Sequence, residues 1–163
     1  MKLLEEGLNK LYEISEEIKL IERYTAPNKT IYDFYNKIYV KCPRCSARAK
    51  INKKDKENSD LYSPEILFCD SCGFIKEGKM LFNTERLELW LQVKCCGNTL
   101  WALNEEHLDY IEKYIGAKLR ERKKDTNLGW HNQNMASRLP KWIKDSKNRT
   151  EVIKGIQKLK ELI

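Results

Sequence analysis

The sequence predicts an α+β protein: a four-Cys zinc ribbon with a small antiparallel sheet, an N-terminal amphipathic helix, and C-terminal helices packed on the sheet. Three observations lead there. Cys42-x2-Cys45 and Cys69-x2-Cys72 make two paired-cysteine turns, each next to short β-forming runs. Residues 3–22 and the stretches from about 104 onward repeat apolar residues at a helical period. Leu87, Leu89, Leu91 and Val93 alternate with Glu88, Trp90, Gln92 and Lys94, the two-residue period of a half-buried strand.

Size and composition bound the answer. The chain has 163 residues, 34% charged and 41% apolar, with four Trp, eight Tyr and four Phe. That is one ordinary domain with enough apolar side chains to bury a core, which excludes a disordered polyelectrolyte. Three segments are expected: 1–36, an N-terminal helical segment; 37–80, the zinc ribbon; and 81–163, a strand plus helical region packed with the ribbon as one unit. No run of eighteen apolar residues occurs, and Met1-Lys2-Leu3-Leu4-Glu5-Glu6 is acidic where a signal peptide is apolar. The expectation is a cytoplasmic protein without a membrane partner, in which six Cys serve as metal ligands or buried thiols before disulfides.

Taken in order, Leu4, Leu8, Leu11, Ile18 and Ile21 form one stripe of an amphipathic helix ended before Pro27. Ile38 and Val40 lead into the first cysteine pair, Ala47 to Ile51 lead out, and Ile66 to Phe68 enter the second. Between them, residues 52–63 are charged and polar, as in a surface loop. Cys95-Cys96-Gly97-Asn98 ends the alternating strand in a turn. Asn104 is placed to cap a helix with Glu105 and Glu106 in its first turn, where the helix dipole favours negative charge. Leu108, Ile111, Ile115 and Leu119 continue that helix, and basic residues from Lys118 crowd its end. Met135 to Leu139 predict a helical turn that Pro140 interrupts or restarts. A last helix is expected with Asn148 as its N-cap and Glu151 three residues into it, carrying Val152, Ile156 and Leu159 on one face.

The two cysteine pairs are separated by 23 residues. Each tight turn aims two sulfurs at one point, and together they can give one tetrahedral Zn2+ its four thiolates. Gly73 directly after the second pair suits a turn that needs a positive φ. Four protein ligands leave no open position, so Cys42, Cys45, Cys69 and Cys72 predict one structural ion that holds the fold and does not activate water. The bland alternatives are four unrelated buried thiols or two redox pairs. Cys95 and Cys96 read as buried structural thiols, because adjacent strand residues face opposite sides unless a turn bends them together. His131 reads as a surface residue, and His107, in a first helical turn, as solvated or packed.

Net charge is +7, and residues 118–163 alone carry +8, 13 Lys and Arg against 5 Asp and Glu. Arg120, Arg122, Lys123 and Lys124 precede Trp130, and Arg138, Lys141, Lys144 and Arg149 surround Trp142. Cations beside an aromatic ring suit nucleic acid, neutralising phosphates and stacking on an unpaired base. Equally, the charge can serve solubility, and Trp142 can pack beside Leu139 and Ile143. The chain lacks a Gly-rich phosphate loop, a Gly-x-Ser-x-Gly elbow, His-Glu-x-x-His, and the His-x-Glu of zinc deaminases. No enzyme and no small-molecule substrate are expected, a thiol activity at Cys95 or Cys96 being the one catalytic alternative.

Leu89-Trp90-Leu91-Gln92, Cys95-Cys96-Gly97-Asn98-Thr99-Leu100-Trp101-Ala102, His107-Leu108, Gly116-Ala117-Lys118-Leu119-Arg120-Glu121-Arg122 and Ala136-Ser137-Arg138-Leu139-Pro140-Lys141-Trp142 form a longer pattern. In these runs the chain resembles bacterial transcription-factor-IIB-type zinc-ribbon proteins over roughly residues 40–160. The resemblance implies a zinc module and one folded unit that includes Trp90, Trp101 and Trp142. It implies no transcription or replication role, and the helix at 3–22 lies outside it. The expected function is a non-catalytic binding protein that contacts nucleic acid through its basic C-terminal region, without reading base sequence. The rival is a zinc-stabilised protein-interaction module, an adaptor or an immunity or antitoxin-like partner of another bacterial protein.

Overall fold

The computed structural model describes residues 23–54, 63–122 and 134–163. The helix expected at 3–22, most of the polar loop, Lys123, Lys124, Trp130 and His131 lie outside the described residues. Among the described residues the chain is mixed α+β.

A four-stranded antiparallel sheet, in the order β2 (Lys37–Lys41), β3 (Arg48–Lys53), β4 (Glu65–Phe68) and β5 (Ile75–Gly78), holds the two cysteine pairs in its β2–β3 and β4–β5 connections. Ile38, Ile51 and Leu67 stand in register across β2, β3 and β4 and are all buried, which gives the sheet one apolar face. A short helix α1 (Leu81–Thr84) follows, its first N–H donated to the buried Glu65 carboxylate at 2.7 Å. Burial raises the pKa of that carboxyl group against this hydrogen bond.

The alternating run 87–93 is only partly a strand. Leu89 makes a single antiparallel bridge to Val40, with the Lys41 N–H donated to Glu88 at 2.8 Å and the Trp90 N–H to Tyr39 at 3.0 Å. The chain then bends and begins β6 (Gln92–Cys95), paired with β7 (Asn98–Trp101). Leu91 is fully buried at that bend, so the alternation marks burial and not continuous pairing.

Helix α2 (Glu105–Gly116) starts where Asn104 predicts. Its Oδ1 accepts from the His107 N–H at 2.9 Å, while Nδ2 donates to the carbonyls of Phe34 at 2.8 Å and Lys37 at 2.6 Å. One buried amide thus caps the helix and ties it to the chain entering β2. The helix ends at Gly116, and Leu119 does not extend its stripe. Residues Leu119–Arg122 form β8, paired in parallel with β1 (Arg23–Ala26), and Leu119 is exposed. Within the basic run predicted as a helix end, residues 119–122 therefore form a strand, stabilised by a partner almost a hundred residues earlier.

Short helices α3 (Met135–Arg138) and α4 (Lys141–Lys144) flank Pro140, as the sequence predicts. Helix α5 (Arg149–Lys160) also occurs as expected, but Asn148 does not cap it: its side chain donates to the Trp142 carbonyl at 2.9 Å. Val152, Ile153, Ile156 and Leu159 are buried, and Lys160 pairs with Asp109 at 3.2 Å and Glu112 at 2.6 Å, fastening α5 to α2. Gly155 lets α5 lie close to the hairpin, since a Cβ there would stand 2.9 Å from Leu100 Cδ2. The described buried side chains, from Phe34 and Ile38 to Ile111 and Ile156, form one apolar cluster.

Asn104→Ala should cost about 2–4 kcal/mol, the loss of a cap plus two carbonyls, one buried and one part-buried, left without this donor. Urea unfolding of the variant checks this, and a loss below about 0.5 kcal/mol would contradict it. His107 is buried and burial lowers its pKa from 6.5 to about 4. The unfolded chain therefore takes up a proton that the folded chain refuses. Stability from this group is full above pH 6.5 and is lost as the pH falls towards about 4, reaching roughly 3 kcal/mol. The difference in stability between wild type and His107→Phe, followed from pH 7 to 5, should show this slope.

Candidate metal centre

The cysteine pairs sit in two turns of the same construction. In the first, the Cys42 N–H donates to Ala47 at 2.8 Å and the Ser46 N–H to Cys42 at 2.9 Å; in the second, Cys69 donates to Phe74 and Gly73 to Cys69, both at 3.0 Å. Each turn closes with a left-handed residue four positions after its first cysteine, Ser46 at φ 59° and Gly73 at φ 66°. Gly73 fulfils the sequence expectation. Ser46 takes the same conformation with a Cβ, which costs on the order of 1 kcal/mol.

Sheet pairing then brings the turns together. All four Sγ atoms lie within 4.8 Å of one another, with Cys42 and Cys72 at 3.7 Å and Cys45 and Cys69 at 3.6 Å. Sulfurs at the corners of a tetrahedral zinc–thiolate site are about 3.8 Å apart, so this spacing fits one ion. Cys42 and Cys69 are buried and Cys45 exposed, which leaves the centre at the rim of the sheet. The thiols are electrostatically unequal. Burial opposes ionisation of Cys42, but N–H groups of Cys45 and Arg44 and the thiols of Cys69 and Cys45 bring its pKa down to about 7. For Cys45 the Ala47 N–H favours the thiolate, yet the neighbouring thiols and burial together push it up to about 12. A cation at the centre would relieve that competition by neutralising the sulfurs together. The four cysteines can therefore hold a metal ion.

Cys95 and Cys96 are 3.6 Å apart at Sγ, closer than two consecutive strand residues allow. The reason is the turn: Cys96 at φ 51° and Gly97 at φ 73° form a two-residue hairpin loop with both residues left-handed, and Cys96 leaves the strand. Cys95 is buried against α5, its thiol 3.5 Å from the Glu151 carbonyl, while Cys96 is exposed. Burial and the neighbouring Cys96 push the Cys95 pKa up to about 11, which suits a packed thiol.

The basic residues named from the sequence scatter. Arg120 turns inward and donates to the carbonyls of Lys144 at 2.8 Å, Ile115 at 3.3 Å and Ala117 at 3.4 Å, with its guanidinium 5.6 Å from the Tyr114 ring. Lys144 donates to Ser137 at 3.1 Å. Arg149 is half-buried, Arg138 lines a cleft, Lys141 is exposed, and Arg122 lies on β8. Trp142 is half-buried against the core.

Sequence reasoning missed a different group. Lys94 of β6 and Lys154 and Lys158 of α5 line a recess of about 240 Å3 with Cys95, Cys96 and Glu151. The i, i+4 spacing of Lys154 and Lys158 was the available signal for a shared helix face. Lys94 joins them only through packing of α5 on the hairpin.

Gly73→Ala should destabilise the protein by about 1–2 kcal/mol, because its cost is the left-handed backbone alone: a Cβ at that position meets nothing within 4 Å. Ser46→Gly should change stability by less than about 1 kcal/mol, since relief of strain is offset by added freedom in the unfolded chain. Parallel urea titrations measure both, and a neutral Gly73→Ala would contradict the turn geometry. No family model, curated protein or solved structure matches the chain.

Proposed function

We propose that the chain is a non-catalytic, zinc-stabilised binding protein whose basic C-terminal region contacts nucleic acid. The observation that carries the reading is the recess between hairpin and last helix, lined by Lys94, Lys154 and Lys158 with one carboxylate, Glu151, the Lys94 ammonium donating to Thr99 Oγ1 at 3.0 Å. Lys154 pairs with Glu151 at 3.3 Å, an exposed contact that a phosphate can displace at small cost. The +8 balance of residues 118–163 supplies the surrounding field, and exposed Lys141 and Lys147 add to it. Zinc is the proposed ion because an all-thiolate tetrahedron favours it over oxygen-seeking cations. Kinship with transcription-factor-IIB-type zinc-ribbon proteins is a further proposal, resting on the residue pattern alone.

The phosphate-contacting set shifts accordingly. Arg120 and Lys144 serve the fold through backbone carbonyls, and Lys94, Lys154 and Lys158 take their place beside Lys141. A second reading, a protein-interaction module, is favoured by Phe68 and Ile75. These residues stand opposite each other on β4 and β5, and both are exposed.

Anisotropy of labelled single-stranded and duplex oligonucleotides should show binding that weakens steeply between 50 and 200 mM salt. Replacing Lys94, Lys154 and Lys158 together by Gln should lower the duplex salt slope by about 0.9 for each phosphate that these lysines neutralise. No binding at low salt, or an unchanged slope in the triple variant, would sink the nucleic-acid reading. The apolar pair on β4 and β5 would then be the surface to test.

A further inference from the structure

Cys95 and Cys96 serve neither the metal centre nor the proposed phosphate contacts, although they line the same recess as Lys94, Lys154 and Lys158. Both are expected from the sequence to be buried structural thiols, but the structure buries Cys95 and leaves Cys96 exposed. Their Sγ atoms are 3.6 Å apart. The left-handed backbone of Cys96, at φ 51°, takes it out of the strand alternation that would hold the two sulfurs on opposite faces.

The two thiols meet different surroundings. Cys95 is 7% exposed, with Sγ 3.5 Å from the Glu151 carbonyl oxygen. Burial, and after it the neighbouring Cys96, raise its pKa to about 11, so at neutral pH it stays protonated and is a poor first target for a reagent from solvent. Cys96 is open to solvent in the hairpin loop, and the recess that it lines carries three lysines against one carboxylate. Thiols that react with oxidants are exposed, stand in electropositive settings and have a second cysteine within reach. Cys96 meets all three conditions. Packing accounts for the buried Cys95, but not for an exposed thiol held against it.

We propose that Cys96 is an oxidative modification site that takes a peroxide, either hydrogen peroxide or a small organic hydroperoxide, with Cys95 as its resolving thiol. In the first step the Cys96 sulfur attacks one peroxide oxygen. The O–O bond breaks, an S–O bond forms, and the other oxygen leaves with the thiol proton as water or alcohol; the sulfur loses two electrons and the peroxide gains them. In the second step the Cys95 sulfur attacks the Cys96 sulfur. The S–O bond breaks, an S–S bond forms, and the hydroxide leaves with the Cys95 proton as water. Only Cys96 has to be reached from solvent, because Cys95 acts across 3.6 Å inside the protein. The part of the high Cys95 pKa that comes from Cys96 weakens once Cys96 is a neutral sulfenic acid, while Lys158 continues to favour the Cys95 thiolate. Adjacent α-carbons are about 3.8 Å apart, below the roughly 4.4 Å lower end of ordinary disulfides, so the bond is strained and easily reduced. The modification is separate from the four-cysteine cluster and does not depend on the nucleic-acid reading.

The test treats the full chain, supplied with zinc and freed of reductant, with a small excess of hydrogen peroxide, followed by alkylation, tryptic digestion and mass spectrometry. Residues 95–113 follow Lys94, end at Lys113 and contain no further cysteine, so this peptide reports on the pair alone. It should change from doubly alkylated to unalkylated and two hydrogens lighter than the dithiol, and dithiothreitol should reverse the change. In Cys95→Ser, Cys96 should instead be trapped by dimedone as the sulfenic acid. In Cys96→Ser, Cys95 should be oxidised at least about tenfold more slowly than the wild-type pair. The wild-type peptide is decisive even if a variant fails to fold. A pair that stays doubly alkylated, a Cys96 that ends as sulfinic acid or bonds elsewhere than to Cys95, or a Cys95 that oxidises as fast without Cys96, would overturn the proposal.

Discussion

Four thiols converge at one rim of the sheet, and β5 has little else to hold it. None of its residues from Ile75 to Gly78 is buried, and in β4 only Glu65 and Leu67 are. Hydrophobic burial is therefore a weak restraint on this hairpin, although it is strong on β2, where Ile38, Tyr39 and Val40 are all buried. The β3–β4 pairing joins the weak end to the strong one, and the meeting of Cys69 and Cys72 with Cys42 and Cys45 adds a second tie. Thiolates gathered within 4.8 Å repel one another unless a cation sits among them. The ion proposed for this centre would thus serve as a cross-link, contributing folding energy where apolar area is short.

The consequences run outward through β2. Its Tyr39 N–H bonds to Leu103 at 2.8 Å, and its edge takes the bridge at Leu89, so the cysteine module and the second half of the chain share a strand. Two buried asparagines continue the connection. Asn104 joins the entry of β2 to α2, and Asn134 joins the Pro27 and Asn28 turn to α3, with Nδ2 to Asn28 Oδ1 at 3.1 Å and Oδ1 accepting from Ala136 at 2.8 Å. The hairpin of β6 and β7 then forms the bed on which α5 lies, and that packing sets both the lysine recess and the burial of Cys95. The position of the proposed phosphate contacts is thereby tied to the core.

Local chemistry is legible in the sequence, and distant pairing is not. Cysteine spacing marks the four thiols, Gly73 the left-handed turn, and Asn104 the start of α2, because each depends on a few neighbouring residues. Residues 118–122 look like a helix end because their partner, Arg23–Ala26, lies far away in sequence and pairs in parallel, an arrangement that periodicity does not encode. Arg120 illustrates the same limit at a single side chain. Its charge suggests a surface role, but three backbone carbonyls left open around the end of α2 and α4 draw it inward. The close Cys95 and Cys96 sulfurs depend on Cys96 adopting a positive φ, which a non-glycine residue rarely signals. The recess is hidden because it is lined from separate elements that meet only in the folded chain.

The most direct test of the central claim combines metal content with amide hydrogen exchange on the reduced protein, before and after a zinc chelator. One zinc per chain is expected and, on chelation, loss of protection in residues 48–53, 65–68 and 75–78 ahead of α2 and α5. Protein that carries no metal yet keeps full protection in those strands, or protection unchanged by chelation, would contradict it.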